Sequence, residues 1–362
     1  MDIYAIARPE IVAMKPYQSA RKTSSADGIL LNANEAPTSF VDDPDLKRLA
    51  LNRYPPPQPA NLRTQLATLY DVPESSLLLT RGSDEGIDLL TRVFCRPGQD
   101  AIVECSPCFG MYRIAATIQA ARVIDVPRQP QNGLRIDFDA LEKTIRDEAS
   151  VRLVFLTSPN NPTGDLIERD QLERILQVCD GKALVVLDEA YIEFCSSKSA
   201  SDLIDRWPHL VVLRTLSKAW AAAGIRCGTV IANPAVIDLL LRVIAPYPMA
   251  ATAIDAAMQA TSGAAVDRKA QFIKDVVRDR EDLIIFLKNC PWVIEIWQSR
   301  ANFVLIRVPD ADGLVTWCDT SGLKIRNFSS QAGLAGCVRL TIGSDKEMAK
   351  LKAALEAFGE QQ

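Results

Sequence analysis

The chain has 362 residues, a net charge of −4, 48% hydrophobic and 24% charged residues, the balance of a soluble globular protein with room for one large and one smaller domain. Acids and bases are interspersed, with no basic arm and no apolar run near the roughly 20 residues of a membrane span, which excludes nucleic acid and membrane as partners. Nine cysteines without regular spacing and a single histidine, His209, exclude a disulfide framework and multi-histidine metal sites, argue against a serine–histidine triad, and point to reduced thiols in a cytoplasmic protein.

Asp2, Arg8, Glu10 and Lys15 leave no apolar core for a signal peptide in the first fifteen residues. Pro55-Pro56-Pro57-Gln58-Pro59 predicts an extended surface segment. From about residue 76 short apolar runs alternate with helical spacing. Leu77-Leu78-Leu79 reads as a buried strand stopped by Gly82, and Ile87, Leu90 and Phe94 as one helix face capped by Ser83. Strands are predicted at 101–103 and 151–157, a helix at 165–178, and further strands at 183–187 and 210–214. This alternation predicts a mostly parallel sheet with helices on both faces. Past Pro246 and Pro248 the texture changes to a helix at 267–287, strands at 293–297, 303–308 and 338–342, and an amphipathic helix at 346–358. These predict a smaller α+β unit beyond a boundary near residue 250.

In a parallel sheet the carboxyl ends of the strands face a common crevice, and four predicted strand ends carry polar residues. Gly82-Ser83-Asp84 opens a helix, whose N-terminal amides suit a phosphate if Asp84 turns its carboxylate away. Ser158 to Gly164 reads singly as a turn, Asp188-Glu189-Ala190-Tyr191 as a helix cap, and Lys218 after Ser217 as surface decoration. Together they meet the needs of pyridoxal phosphate. That cofactor requires a lysine amine to form an imine, an acid to keep the pyridine nitrogen protonated, and donors for its phosphate. Lys218 and Asp188 supply the first two, and Ser217, Arg226 and the helix start at Ser83 the third; Asn161 and Tyr191 can bond the ring hydroxyl. Cys105 and Cys108 have redox-type spacing, but Pro107 and Gly110 favour a loop over a reactive helix start.

With these residues the sequence resembles the fold-type-I aminotransferases, and most closely the histidinol-phosphate aminotransferases. The likeness rests on Pro16-Tyr17-Gln18-Ser19-Ala20-Arg21, Leu31-Asn32-Ala33-Asn34-Glu35, Asn52-Arg53-Tyr54-Pro55, Arg81 to Gly86, Ser158 to Gly164, Asp188 to Tyr191, Thr215-Leu216-Ser217-Lys218-Ala219, Ile244 to Pro248 and Arg339-Leu340-Thr341. They run in family order over nearly the whole chain. The resemblance implies a fold-type-I transferase with an N-terminal arm over 1–30 packing on the small domain and a dimer partner, a large cofactor-binding domain over 31–250 and a small domain over 251–362. It implies that Phe109 stacks on the cofactor where many relatives have tyrosine, and that Tyr54 reaches the phosphate held by the other subunit of a homodimer. Arg339 would grip the substrate's anionic group, with Arg326 and Tyr17 as helpers. The implied substrates are histidinol phosphate and 2-oxoglutarate, whose phosphate and carboxylate arginine can bind in turn. A threonine-phosphate decarboxylase and an aromatic amino acid aminotransferase are the rivals on the same scaffold.

Overall fold

The computed structural model describes residues 1–15, 36 and 38–361; Tyr17 and the segments 16–21 and 31–35 lie outside the described residues. Seven strands, β1 (Leu77–Thr80), β2 (Ala101–Glu104), β3 (Arg122–Asp125), β4 (Val151–Thr157), β5 (Leu184–Asp188), β6 (Leu210–Thr215) and β7 (Gly228–Ala232), form one sheet in the order β1-β7-β6-β5-β4-β2-β3. All run the same way except β7, which is antiparallel to both neighbours. The central runs lack polar alternation because both faces are covered. Val154, Leu156, Val185 and Val212 enter the core on one face, and Leu153, Phe155, Val186 and Val211 that on the other. The expected parallel sheet is therefore present, and the ends of β1, β4, β5 and β6 share one edge.

Two of these strands were not expected. The edge strand β3 offers only Val123 and Ile124 between two charged residues, and β7 opens on a glycine that hides it. Gly228 stands opposite Thr80 on one side and Thr215 on the other. A Cβ there would lie 2.5 Å from the Gly82 carbonyl carbon and 2.7 Å from the Ser83 nitrogen, so only glycine lets the turn after β1 cross β7. On the other side Leu216 N–H donates to the Cys227 carbonyl at 3.0 Å, closing the segment between β6 and β7 into a loop pinned at both ends. The helix expected at 165–178 starts later, spanning Arg169–Cys179. Asp165 instead accepts from Arg128 at 2.9 and 3.0 Å, and its carbonyl accepts from Asn160 N–H.

The second sheet is antiparallel throughout, with β8 (Glu295–Ile296), β9 (Phe303–Arg307), β10 (Arg326–Asn327) and β11 (Cys337–Thr341) in the order β10-β11-β9-β8. Helices Gly263–Lys288, Ala311–Thr320 and Asp345–Gly359 cover one face through Leu283, Leu287, Leu314, Leu351 and Leu355. That core also takes in Tyr191 and Ala219, neighbours in the chain of Asp188 and Lys218, so it abuts the shared edge of the first sheet.

Residues 1–15 pack elsewhere than expected. Two short helices, Ile3–Ile6 and Pro9–Ala13, bury Ile3 and Ala7 among Val93, Phe94, Val236 and Leu240 on the helical layer of the large sheet. Arg8 N–H donates to the Val93 carbonyl at 3.0 Å, and Arg242 donates to the carbonyls of Ile11 and Met14. The apolar side of this segment matches that layer, so for these residues the small unit is not the packing partner. Among the described residues no helix is long and apolar enough to cross a membrane, and no group of side chains is arranged to hold a metal ion.

Candidate active site

β5 ends on Asp188, which is 3% exposed. Ala190 N–H donates to its Oδ1 at 3.1 Å and the Tyr112 hydroxyl to its Oδ2 at 2.8 Å. Thr157, the last residue of β4, pairs in register with Asp188, and its Oγ1 lies 2.8 Å from the Tyr112 oxygen. Burial pushes the Asp188 carboxyl up to about 6, against these donors and the more distant charge of Lys218. No cation lies within ion-pair distance of Asp188 among the described residues. A carboxylate taken out of water with no counter-ion is costly to keep, and it faces a cleft.

Lys218 sits one strand over, in the loop after β6, with Nζ 5.7 Å from the centre of the Tyr191 ring. Burial, then the charge of Arg339, holds its ammonium below the ordinary lysine range, opposed by Asp188 and Asp84. More of it is therefore the free amine, the nucleophilic and basic form. Burial raises the neighbouring Tyr191 phenol to about 12, so it is a hydrogen-bond donor at neutral pH. Phe109 flanks the cleft, meeting Tyr112 edge-on at 5.8 Å and 84°.

The helix Ser83–Phe94 aims its N-terminus into the same cleft, and Ser217 and Arg226 approach from the pinned loop. Arg226 donates to Ser217 Oγ at 3.3 Å and to Asp84 Oδ2 at 3.1 Å. The carboxylate that threatened the anion site is thus drawn off by a cation. Helix amides, a hydroxyl and a guanidinium make this end of the cleft suited to a phosphate. Gly82 rather than Ser83 occupies the cap position, so the Ser83 side chain is not used in capping.

At the other end stands Arg339 of β11. Its guanidinium carbon lies 5.0 Å from the Phe303 ring centre and 5.2 Å from that of Phe328, and Nη1 donates to Asn161 Oδ1 at 2.5 Å. Asn161 is fixed in turn by its loop. Asn160 donates to the Pro107 carbonyl beside the Phe109 segment, and Arg300 N–H donates to the Gly164 carbonyl at 2.8 Å. Gly164 has φ +78°, and a Cβ on it would lie 2.6 Å from Ser299 Cβ, so this contact with the second sheet's connecting loop requires glycine. Burial lowers the Arg339 pKa, and no carboxylate among the described residues pairs with it.

Ser83, Asp84, Phe109, Asn161, Asp188, Tyr191, Ser217, Lys218 and Arg226 therefore line one cleft. Arg339 joins it through Asn161, and Arg326 is its direct cross-strand partner, exposed to solvent. Tyr54 does not line it. Half exposed, it stacks on Tyr247 at 4.5 Å and lines a separate apolar groove with Pro55, Leu62 and Met258. Cys105 and Cys108 fall in a loop before the helix Met111–Ile118, and burial pushes the Cys105 thiol to about 12 and Cys108 well above its ordinary value. Both stay protonated, which removes them as nucleophiles. His209 is buried away from the cleft with Nε2 2.8 Å from the Leu176 carbonyl.

Sequence reasoning missed Tyr112, Thr157, Phe303 and Phe328. Thr157 had a readable signal, as the tip of the strand beside the one ending on Asp188. Tyr112 had none, because 76 residues separate it from its partner.

The chain also matches known proteins. A family model, aminotransferase class I and II, matches residues 27–358. A histidinol-phosphate aminotransferase of Pectobacterium atrosepticum is 41% identical over 360 residues, covering 99% of this chain and 98% of that one. The crystal structure of a histidinol-phosphate aminotransferase from Sinorhizobium meliloti in complex with pyridoxal-5'-phosphate superposes with a TM-score of 0.78 at 22% identity, over 91% of this chain and 90% of that one. An L-threonine-O-3-phosphate decarboxylase from Porphyromonas gingivalis gives 0.72 at 25% identity, over 90% and 99%.

Proposed function

Since the chain belongs to the class I and II aminotransferases, we propose that it exchanges an amino group between histidinol phosphate and 2-oxoglutarate in a ping-pong cycle, with pyridoxal phosphate as cofactor. The observation that carries the proposal is the convergence of a half-buried amine, a buried carboxylate without counter-ion, and an anion cradle in one cleft. Full-length similarity to relatives named for histidinol phosphate supports that substrate.

The residues fit the cofactor. Asp188 lacks a cation, which a protonated pyridine nitrogen would supply. Lys218 offers the amine that carries the cofactor, and Ser83, Ser217 and Arg226 the site for its phosphate. Asn161 Oδ1 is taken by Arg339, so its Nδ2 protons are left for the ring hydroxyl, which Tyr191 serves from the other side. When bound, pyridoxal phosphate supplies an electron sink for the bond broken at the substrate's amine-bearing carbon. Lys218 Nζ, freed as a neutral amine, takes the proton from that carbon, the base work that His209 is placed too far away to do. Arg339, flanked by Arg326, binds first a phosphate and then a carboxylate.

The exposed Tyr54 and its apolar groove support a homodimer in which this tyrosine serves the partner's cofactor phosphate. The free cysteines support a cytoplasmic setting. Purified protein given histidinol phosphate and 2-oxoglutarate is expected to form glutamate, and to release no carbon dioxide from threonine phosphate. The decarboxylase reading, favoured by the likeness to the Porphyromonas enzyme, requires the opposite pair of results.

A further inference from the structure

The Asp188 carboxylate needs help to remain an anion in a site this buried, and the help comes from a side chain far from it in sequence. Tyr112 is fully buried, and its ring is held from two directions. It stacks on Phe155 at 4.7 Å and 8°, and meets the edge of Phe109 at 5.8 Å. Its hydroxyl has one proton, and that proton goes to Asp188 Oδ2 at 2.8 Å. Thr157, 2.8 Å from the same oxygen, must then be the donor in its own contact with Tyr112. The three groups form a directed chain, Thr157 to Tyr112 to Asp188, and each donor polarises the next. Burial holds the Tyr112 phenol far above its ordinary pKa, so the proton stays on tyrosine and the negative charge on Asp188.

We infer that Tyr112, backed by Thr157, is a positioning residue that holds Asp188 ionised for the cofactor's pyridinium and fixes the Phe109 ring beside it. This rests on the aminotransferase reading above. The chain orients one oxygen of Asp188 inward and Ala190 N–H engages the other, which restricts the direction in which the carboxylate can still accept a proton. The other titratable groups facing Asp188 are Asp84 on the helix Ser83–Phe94, Lys218 on the pinned loop and Tyr191 after β5. Of these only Lys218 favours the anion, and its amine is committed to the cofactor once that is bound.

The test is the pH dependence of pyridoxal phosphate binding to the cofactor-free protein. Binding requires ionised Asp188, so the dissociation constant should rise as pH falls through about 6. Titration of the cofactor's own phosphate is common to all variants and cancels in the comparison. Tyr112→Phe keeps both ring contacts and removes the donor. It should move the bend up by about one pH unit and lower kcat about tenfold, with KM for histidinol phosphate little changed. Thr157→Val should move it in the same direction by less, and Thr157→Ser should restore it, so the chain remains testable if Tyr112→Phe folds poorly. A bend unmoved in both Tyr112→Phe and Thr157→Val overturns the inference and leaves the aminotransferase reading standing. A bend that survives Asp188→Asn would show that Asp188 does not govern binding, and both would fall.

Discussion

Asp188, buried, and Arg339, partly buried, both lack a counter-ion among the described residues, yet the two ends of the cleft keep them in different ways. Asp188 sits at the tip of a central parallel strand, its oxygens met by a backbone N–H and by the end of a hydroxyl chain, each with a fixed direction. Arg339 lies in a small antiparallel sheet between two aromatic faces, with one amide oxygen as its directed contact. Hydroxyl and amide donors specify an acceptor within tenths of an ångström, whereas an aromatic face attracts a cation with little angular demand. The Asp188 end, the floor of the cleft, therefore suits one fixed partner, and the Arg339 end, its mouth, suits anions of differing shape.

The largest expected effect belongs to the floor. Lys218→Ala should retain some cofactor non-covalently yet lose turnover by several orders of magnitude, since carrier and base vanish together. Borohydride reduction and peptide mapping of the parent protein should place the adduct on Lys218, and an adduct on any other lysine would break the assignment. Asp188→Ala should lower kcat far more than it raises KM. The same residue has a signature without cofactor. A carboxyl raised from 3.8 to about 6 binds its proton more readily folded than unfolded, so the cofactor-free protein should lose stability as pH rises from about 4 to about 6. That loss, on the order of 3 kcal/mol if fully expressed, should flatten in Asp188→Asn when thermal unfolding is followed across that range.

Mouth substitutions should be milder and less geometric. Arg339→Ala should weaken both half-reactions by about 10- to 100-fold, read in stopped flow with each substrate alone. Phe328→Leu, which removes one aromatic face, should raise KM for both substrates about threefold to tenfold with kcat nearly unchanged. A collapse of kcat in Phe328→Leu would show that the mouth is as directed as the floor. The smallest effect is expected outside the cleft. Tyr54→Phe should raise the cofactor dissociation constant by about tenfold or less, as for one lost hydrogen bond to a charged group. Light scattering that finds an active monomer would remove Tyr54 from the partner's site.

The floor was also the more legible end. Strand tips are marked locally by apolar runs that stop at polar residues, so Asp188, Asn161 and the Ser217-Lys218 pair could be placed on one edge from spacing and alternation. Ser83 and Arg226 follow from the same logic, because each lies in the segment that leaves a strand tip, whereas Phe109 came only from the family resemblance. What supports these residues was not legible. Tyr112 reaches Asp188, and Phe303 and Phe328 reach Arg339, through contacts set by layer packing, which leaves no periodic trace in the chain. β7 was hidden for a related reason, since the glycine that allows its crossing is a poor strand former. The packing of residues 1–15 was expected from the family resemblance alone, and nothing in their own sequence says on which of two cores they pack.

The reversal of β7 has a consequence for how this chain can change. Surface loops ordinarily tolerate insertion at small cost. The loop from β6 to β7 carries Lys218 and Arg226 and is closed at its base by the Thr215–Gly228 pair and the Leu216–Cys227 hydrogen bond. Its length therefore acts as a gauge, setting the separation between the Lys218 amine and the Arg226 guanidinium. A residue added or lost between positions 217 and 226 would rescale that gauge while leaving the sheet intact, so this stretch should vary in composition far more freely than in length.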